Sequence, residues 1–282
     1  MTGVDTSMKL CIPFLLTLFA GLIQACLPVP EKYTELEHRI VDVLDARIVI
    51  IQIDHGELTI MQSQDSRIRI DGQVLFPDEL EYLIDPTEER ILIKVDTHRD
   101  SSSKIPLNLQ IQIPEQKKVK VETKDASVFA QDFQGDLEVD STSGNITIKR
   151  VTGTLTLNSN RGDITVHESA GVVNVVGNYG LLTFQDVSGE TAASTIMGNI
   201  MLSSLIQMND AVRLETDHGS VSVSLREDSA LSLQARSTSG NVACMLPGLH
   251  STARACDGEL NSGGGNLSIR TVSGAVTLQW IP

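Results

Sequence analysis

The chain has 282 residues, a formal net charge of −14 and only 4% aromatic residues. Its lysines and arginines form no run longer than Lys117–Lys118, which excludes the basic surface that binding to a nucleic-acid backbone requires. The scarcity of aromatic side chains also argues against a platform on which bases or sugars stack.

The chain opens with a segment that is typical of a cleaved export signal. Residues 9–25, KLCIPFLLTLFAGLIQA, place one positive charge before an apolar run shorter than the roughly 20 residues that span a bilayer. The preceding MTGVDTS carries no positive charge, which suggests that translation starts at Met8. The following LIQAC resembles a bacterial lipoprotein signal, which implies that Cys26 is diacylated and becomes the mature N-terminus. An ordinary cleaved signal with a chance cysteine is the alternative.

This start predicts the location of the protein. Residues 1–25 are expected to be the signal peptide, and 26–32 the lipid-anchored cysteine with a short linker. Two acyl chains hold a domain stably on a membrane, where one chain is marginal. We therefore expect a bacterial envelope protein, on the outer membrane or the periplasmic face. Of the remaining cysteines only Cys244 and Cys256 can pair in an oxidising compartment, and the sequence leaves their bonding open.

The next region alternates apolar and polar residues with a period of two, which predicts strands. Five such runs lie at 47–53, 57–61, 67–74, 90–95 and 107–113, separated by turn-forming segments. Only FPDELEYLI at 76–84 has the pattern of a short helical turn. The rest of 33–116 is expected to be an N-terminal β region.

From about residue 117 the sequence repeats every 18 residues. One set of glycines recurs nine residues out of phase with a second set, so each repeat has two corners, where we expect glycine to provide a positive φ. Apolar residues such as Ile164 and Val166 alternate between the corners. Further corners are predicted where the spacing stretches. The predicted corner glycines are Gly135, Gly144, Gly153, Gly162, Gly171, Gly180, Gly189, Gly198, Gly219, Gly240 and Gly265.

A repeat of this length suits one coil of a solenoid. The sequence predicts an all-β fold in which residues 117–282 form a single-stranded, right-handed parallel β-solenoid with coils of about 18 residues. About seven coils are expected, each burying its apolar face against the next, with Trp280 covering the open end.

The motifs resemble a known bacterial family of β-strand-repeat proteins called "putative adhesins", related to head-GIN domains. The resemblance rests on GELTIMQSQDSRIRIDG at 56–72, PLNLQIQIP at 106–114 and the serial corners SGNITI, RGDITV and HGSVSV. It implies a right-handed parallel β-solenoid of the envelope without an established enzymatic activity.

Candidate sites are few. The RGD at 161–163 occupies the same corner as SGN and MGN, which indicates a structural role. The six histidines lack metal-ligand spacing, so no metal and no cofactor are expected. Arg150, Glu168 and Asp186 are 18 residues apart, which predicts a polar ladder on three coils. Glu168 and Asp186 are expected about 5 Å apart, close enough to perturb each other's pKa or share a cation.

These observations favour a non-enzymatic, lipid-anchored envelope solenoid that serves as an adhesin, scaffold or binding module. Its expected partners are the membrane and an unidentified envelope or surface protein or glycan, but no nucleic acid. Two alternatives remain. One is a polysaccharide-cleaving enzyme that uses Glu168 and Asp186. The other is a scaffold that self-associates end to end through the terminus at Trp280.

Overall fold

The computed structural model describes residues 33–36, 38–43, 46–75, 80–97 and 107–281. Within these ranges every regular element is a β-strand, so the all-β prediction is confirmed and no helix there is long and apolar enough to cross a membrane. The strands are β1 Thr34–Glu35, β2 Arg39–Asp42, β3 Ile48–Ile53, β4 Glu57–Gln62, β5 Arg67–Val74, β6 Leu80–Pro86, β7 Arg90–Thr97, β8 Leu107–Ile113, β9 Lys118–Thr123, β10 Ser127–Gln134, β11 Asp136–Ser141, β12 Ile146–Ser159, β13 Ile164–His167, β14 Ala170–Tyr179, β15 Leu182–Gln185, β16 Ser188–Met197, β17 Ile200–Ser204, β18 Ala211–Thr216, β19 Val221–Leu225, β20 Leu231–Ser237, β21 Val242–Cys244, β22 His250–Ser251, β23 Ala255–Leu260, β24 Gly265–Thr271 and β25 Val276–Trp280.

The parallel strands form two ladders that face each other across one core. The first ladder runs in the order β7, β3, β9, β11, the C-terminal part of β12, β14, β16, β18, β24 and β20. The second runs in the order β8, β4, β10, the N-terminal part of β12, β13, β15, β17, β19, β25 and β21. We call one strand of the first ladder, with the strand that follows it in the second, a rung. The described residues therefore build ten rungs of a β-solenoid-like stack.

The middle rungs follow the chain. Ile146 pairs with Ile164 and Ile164 with Leu182, so hydrogen-bonded partners there are 18 residues apart. A two-residue side-chain period sends alternate residues inward, and Ile164 and Val166 are fully buried. Burying each such side chain contributes about 1.5–3 kcal/mol, which a coil gains only by stacking on its neighbours.

The N-terminal region belongs to the same stack. β3 and β4 lie between the rung of β7 and β8 and the rung of β9 and β10. This region adds rungs that the expected seven coils did not include. The boundary predicted at residue 116 is crossed by the pairing of Ile48 with Lys118.

The C-terminal end is also built out of chain order. β24 and β25 lie between the rung of β18 and β19 and the rung of β20 and β21, which comes earlier in the sequence. Trp280 pairs with Leu225 and is only partly buried. The expectation that Trp280 covers the open end is therefore wrong, because its rung is not the last one.

Antiparallel strands cover the outermost rungs. β6 pairs with β7, and β5 pairs with β8 while carrying β1 and β2 on its other edge. At the opposite end β23 pairs with β20. These partners pair the outer backbone groups of β7, β8 and β20, whereas β21 pairs with no described strand other than β25.

The helical turn predicted at 76–84 is wrong for the residues described. Leu80–Pro86 is β6, an antiparallel partner of β7. Leu80, Tyr82 and Ile84 alternate with exposed residues and pack against the core. This segment is a strand because it pairs with β7, and the local sequence pattern does not reveal that pairing.

Candidate functional site

One corner of several rungs is held by a short hydrogen-bonded motif, which occurs at Gly144, Gly162, Gly240 and Gly274. The backbone N–H of Gly162 donates to Ser159 Oγ at 2.8 Å, and that of Gly144 donates to Ser141 Oγ at 2.9 Å. Both serines are buried, and the bond satisfies a hydroxyl that would otherwise be costly inside. The sequence analysis missed this motif, although a serine or threonine stands three residues before each of these glycines.

The glycines serve two different purposes. A Cβ at Gly162 would overlap the carbonyl of Gly144 on the preceding rung, so this corner requires close approach rather than a positive φ. The same holds for Gly144, Gly198, Gly219 and Gly240. Gly153 has a φ of 145°, as the positive-φ explanation expects, and a Cβ there would also overlap the carbonyl of Gly135. Positive φ also occurs at Gly135, Gly171, Gly180 and Gly189.

One predicted corner is displaced. Gly265 is the first residue of β24, so it lies where this strand begins rather than at the corner that follows the strand. The corner of this rung is Gly274, whose N–H donates to Thr271 Oγ1 at 2.9 Å. The sequence analysis chose Gly265 because the longer spacing hides the register of this rung, which comes last in the sequence but not in the stack.

The RGD triplet lies in the same corner and is part of its backbone support. Asp163 Oδ1 accepts a hydrogen bond from the N–H of Leu181 at 2.8 Å, and the N–H of Asp163 donates to Asn145 Oδ1 at 3.0 Å. Asn199 repeats the arrangement with Ser220. The aspartate therefore links successive rungs, which agrees with the structural role predicted for it.

The opposite corner carries the predicted polar ladder. Arg150, Glu168 and Asp186 have φ values of 52°, 49° and 50°, and Asp132 on the preceding rung has 49°. Such a left-handed conformation is uncommon for residues other than glycine and is costly outside Asn and Asp. The turn of the chain at this corner therefore requires a positive φ at these four residues.

Their side chains form ion pairs. Arg150 donates to Asp132 at 2.5 and 2.8 Å and lies 3.7 Å from Glu168, while Arg226 donates to Asp186 at 2.5 Å. The bond from Arg150 lowers the pKa of Asp132, and the bond to Asp132 raises that of Arg150. Both carboxylates of the expected acid pair, Glu168 and Asp186, therefore form ion pairs with arginines on the protein surface.

Two cysteine expectations have different outcomes. The structure joins Cys244 and Cys256 in a disulfide between β21 and β23. Cys26 lies outside the described residues. The disulfide ties the outermost rung to its covering strand.

A shallow axial groove crosses the strands of the first ladder near the Ser/Thr–Gly corner. Three depressions of 760, 350 and 500 Å³ share lining residues: Val176 and Asn178 join the first to the second, and Arg270 joins the second to the third. Lys94 lies at one end and Arg236 at the other, so the groove passes from the outermost N-terminal rung to the outermost C-terminal rung.

The first part of the groove is charged but internally paired. Lys124 Nζ lies 2.7 Å from Asp54, and Lys120 lies 3.0 Å from Glu122, which also accepts a hydrogen bond from Gln52 at 2.8 Å. The bonds from Gln52 and Lys120 lower the pKa of Glu122. The positive and negative groups largely neutralise one another here.

Amides line the middle of the groove. Asn158 Nδ2 donates to Asp140 Oδ1 at 2.7 Å, and Asn178 Nδ2 donates to Asn160 Oδ1 at 3.0 Å. Each donor lies one rung from its acceptor. The amides are therefore held in a fixed orientation along the stack.

The far part of the groove changes from apolar to basic. Val176 and Ile196 are each 48% exposed, and Val272 is 38% exposed, an unusual concentration of apolar surface beside polar groups. Arg270, Arg236 and Arg254 line the last segment. Among the residues that the structure describes, no group of three or more His, Cys, Asp or Glu is placed to hold a metal ion.

Comparison with known proteins gives one family match. A family model described as Toastrack DUF4097 matches residues 41–279. No curated protein matches the chain.

Several solved structures are similar in outline. A "putative adhesin" from Bacteroides fragilis NCTC 9343 is 10% identical, covering 89% of this chain and 99% of that chain with a TM-score of 0.42. A "putative lipid binding protein" from Parabacteroides distasonis ATCC 8503 is 12% identical, covering 87% and 96% with a TM-score of 0.41. A "putative cell adhesion protein" from Clostridium sporogenes ATCC 15579 is 11% identical, covering 89% and 100% with a TM-score of 0.30.

Proposed function

This chain belongs to the Toastrack DUF4097 family, and from that premise we propose that it is a non-enzymatic binding module anchored to the bacterial envelope through a lipid on Cys26. The observation that carries the proposal is the axial groove, which is lined by polar, charged and apolar side chains from all ten rungs. A long surface of this kind suits a partner that makes many weak contacts. Its partner is an envelope or surface protein or glycan.

The anchor rests on the sequence. The short apolar run followed by LIQAC places Cys26 where a lipoprotein signal is cleaved and acylated. The proposed site is the outer membrane or the periplasmic face of the envelope.

The finer fold is part of the same proposal. We propose that the coils wind right-handed and that 18 residues is their basic length, with longer coils arising from insertions in loops. The strong preference of parallel β connections for right-handed crossovers supports the handedness.

The ion pairs of Glu168 and Asp186 support a non-enzymatic role. An acid–nucleophile pair needs one carboxylic acid that gives a proton to the leaving oxygen and one carboxylate that is free to attack the sugar carbon. Here Arg150 and Arg226 form ion pairs with them, and both acids stand at corner positions with a positive φ.

Two measurements test the proposal. Cys26→Ser is expected to move the protein from the membrane fraction to the soluble fraction, whereas Cys256→Ser is expected to leave it on the membrane. The purified protein is expected to release no reducing sugar from a panel of envelope polysaccharides. Retention of the Cys26→Ser variant on membranes would overturn the anchor. Sugar release that disappears in Glu168→Gln/Asp186→Asn would overturn the non-enzymatic role.

A further inference from the structure

We propose that the axial groove binds a neutral, extended polysaccharide that lies along the stack, across the strands. This inference rests on the proposed binding function and names the chemical class of its ligand. It starts from the direction of the groove. Successive rungs are about 4.8 Å apart, close to the advance of one pyranose unit in an extended glycan, so each sugar unit faces the side chains of about one rung.

The polar groups of the groove suit hydroxyls. Asn158 and Asn178 each donate one N–H to the neighbouring rung, and among the described residues their second N–H and their carbonyl oxygen have no bond. Amides with a free donor and a free acceptor bind vicinal hydroxyl groups with two hydrogen bonds. Because the bonds to Asp140 and Asn160 already orient the amides, little side-chain entropy is lost on binding.

The charges favour a neutral ligand. In the first segment Asp54 is paired with Lys124 and Glu122 with Lys120, and in the basic last segment Arg236 lies 3.7 Å from Asp257, so part of the groove's charge is balanced within the protein. The net charge of −14 also repels polyanions from the surface as a whole. Exposed Val176 and Ile196 supply an apolar surface for the C–H face of a sugar ring, in place of the aromatic platform that the sequence lacks.

A peptide is a poorer fit. Extended peptides usually bind by adding a strand to a sheet edge, where they pair with free backbone groups. The groove crosses strands of the first ladder whose backbone groups pair with the adjacent rungs, and it offers side chains only. A ligand in the groove is therefore recognised through contacts between its hydroxyl or amide groups and these side chains.

Affinity electrophoresis tests the inference. The full chain carrying Cys26→Ser is run through native gels that contain hydroxyethyl cellulose, galactomannan, polygalacturonate or gelatin. We expect retardation by at least one of the two neutral glycans and none by polygalacturonate or gelatin. Asn158→Leu/Asn178→Leu removes the two amides at nearly constant volume. Because both amides lose their hydrogen bonds to the ligand, this variant is expected to bind at least tenfold more weakly.

The matched control lies on the second ladder. Thr147→Val/Thr165→Val/Thr183→Val changes an equally regular row of outward residues away from the groove and is expected to bind as the parent does. Thermal unfolding checks that each variant folds. If the double asparagine variant does not, Ile196→Lys, at an exposed corner, takes its place with the same expected loss.

Three results would overturn the inference. These are no retardation by either neutral glycan, retardation by gelatin alone, and equal weakening by the groove and control variants. Each leaves the proposed function standing if Cys26→Ser still releases the protein and no polysaccharide is cleaved, so the two failures are distinguishable.

Discussion

The middle and the ends of this solenoid solve the same packing problem in different ways. From the rung of β11 and β12 to the rung of β18 and β19, each rung lies on the rung that precedes it in sequence. At each end the outermost rung has an antiparallel strand on its outer side. The rung next to it comes from a segment that lies out of chain order, β3 and β4 at one end and β24 and β25 at the other. The repeat thus determines the pairings in the middle of the stack, whereas the ends depend on strand pairings that depart from chain order.

The largest effect is expected in the middle, where Ile164→Asp breaks the repeat itself. A buried, unpaired carboxylate at a position with no exposure costs about 4 kcal/mol or more. Thr165→Asp, one residue away but outward, is expected to cost less than about 1 kcal/mol. The measurement is the free energy of unfolding in denaturant. Equal losses in the two variants would show that the inward register is wrong.

The close approach of rungs comes next. Gly162→Ala is expected to cost about 2–3 kcal/mol because its methyl group would overlap the carbonyl of Gly144. Gly248→Ala is the control: its φ of 83° is also unfavourable for alanine, but no atom lies within 4 Å of the added methyl. We expect a cost of about 1 kcal/mol there. A larger loss at Gly248 than at Gly162 would contradict the contact between rungs.

A smaller effect, confined to one end, is expected from the disulfide. Cys244→Ser/Cys256→Ser opens a loop of 12 residues and is expected to cost about 2 kcal/mol. Hydrogen exchange is expected to increase in β20, β21 and β23 and to change little in β12–β15. Uniform loss of protection along the stack would show that the two ends and the middle unfold as one unit.

The smallest effect is expected from pH at Glu122, which lies where β9 pairs with β3. Because Gln52 and Lys120 lower the pKa of Glu122, its carboxylate stabilises the fold above its unfolded pKa of about 4.3, and this contribution disappears as pH falls. Glu122 is 41% exposed, so we expect at most a few tenths of a kcal/mol. Glu122→Gln is expected to be less stable than the parent at pH 7 and equally stable at pH 3. A stability difference that grows toward pH 3 would contradict this account.

The sequence alone predicts the middle of the molecule well and the ends poorly. Ile164 and Val166 reveal their inward positions because period two and period 18 act together, and both are buried. The out-of-order position of β24 and β25 has no such signal, since their alternation is the same as that of any other rung. Gly274 and the buried Ser159 were missed although both leave a spacing of three residues in the sequence.

The candidate site was predictable only in part. The period places Glu168 and Asp186 on successive rungs, but it does not show that Arg150 and Arg226 neutralise them, because Arg226 is 40 residues from Asp186. The groove is hidden for a similar reason. Its lining residues come from many rungs, and no short motif unites Asp54 with Asn178.

The central claim, that β25 lies between β19 and β21, is tested most directly by cysteine cross-linking on the second ladder. Ser222 pairs with Thr277, and Thr277 pairs with Ala243, so the order of the rungs is 222, 277, 243. Ser222→Cys/Thr277→Cys places two outward thiols on adjacent rungs about 4.8 Å apart, whereas Ser222→Cys/Ala243→Cys separates them by two rungs. After oxidation, peptide mapping is expected to find a new disulfide in the first variant and none in the second. A disulfide in the second variant alone would show that the rungs follow chain order and would contradict this account.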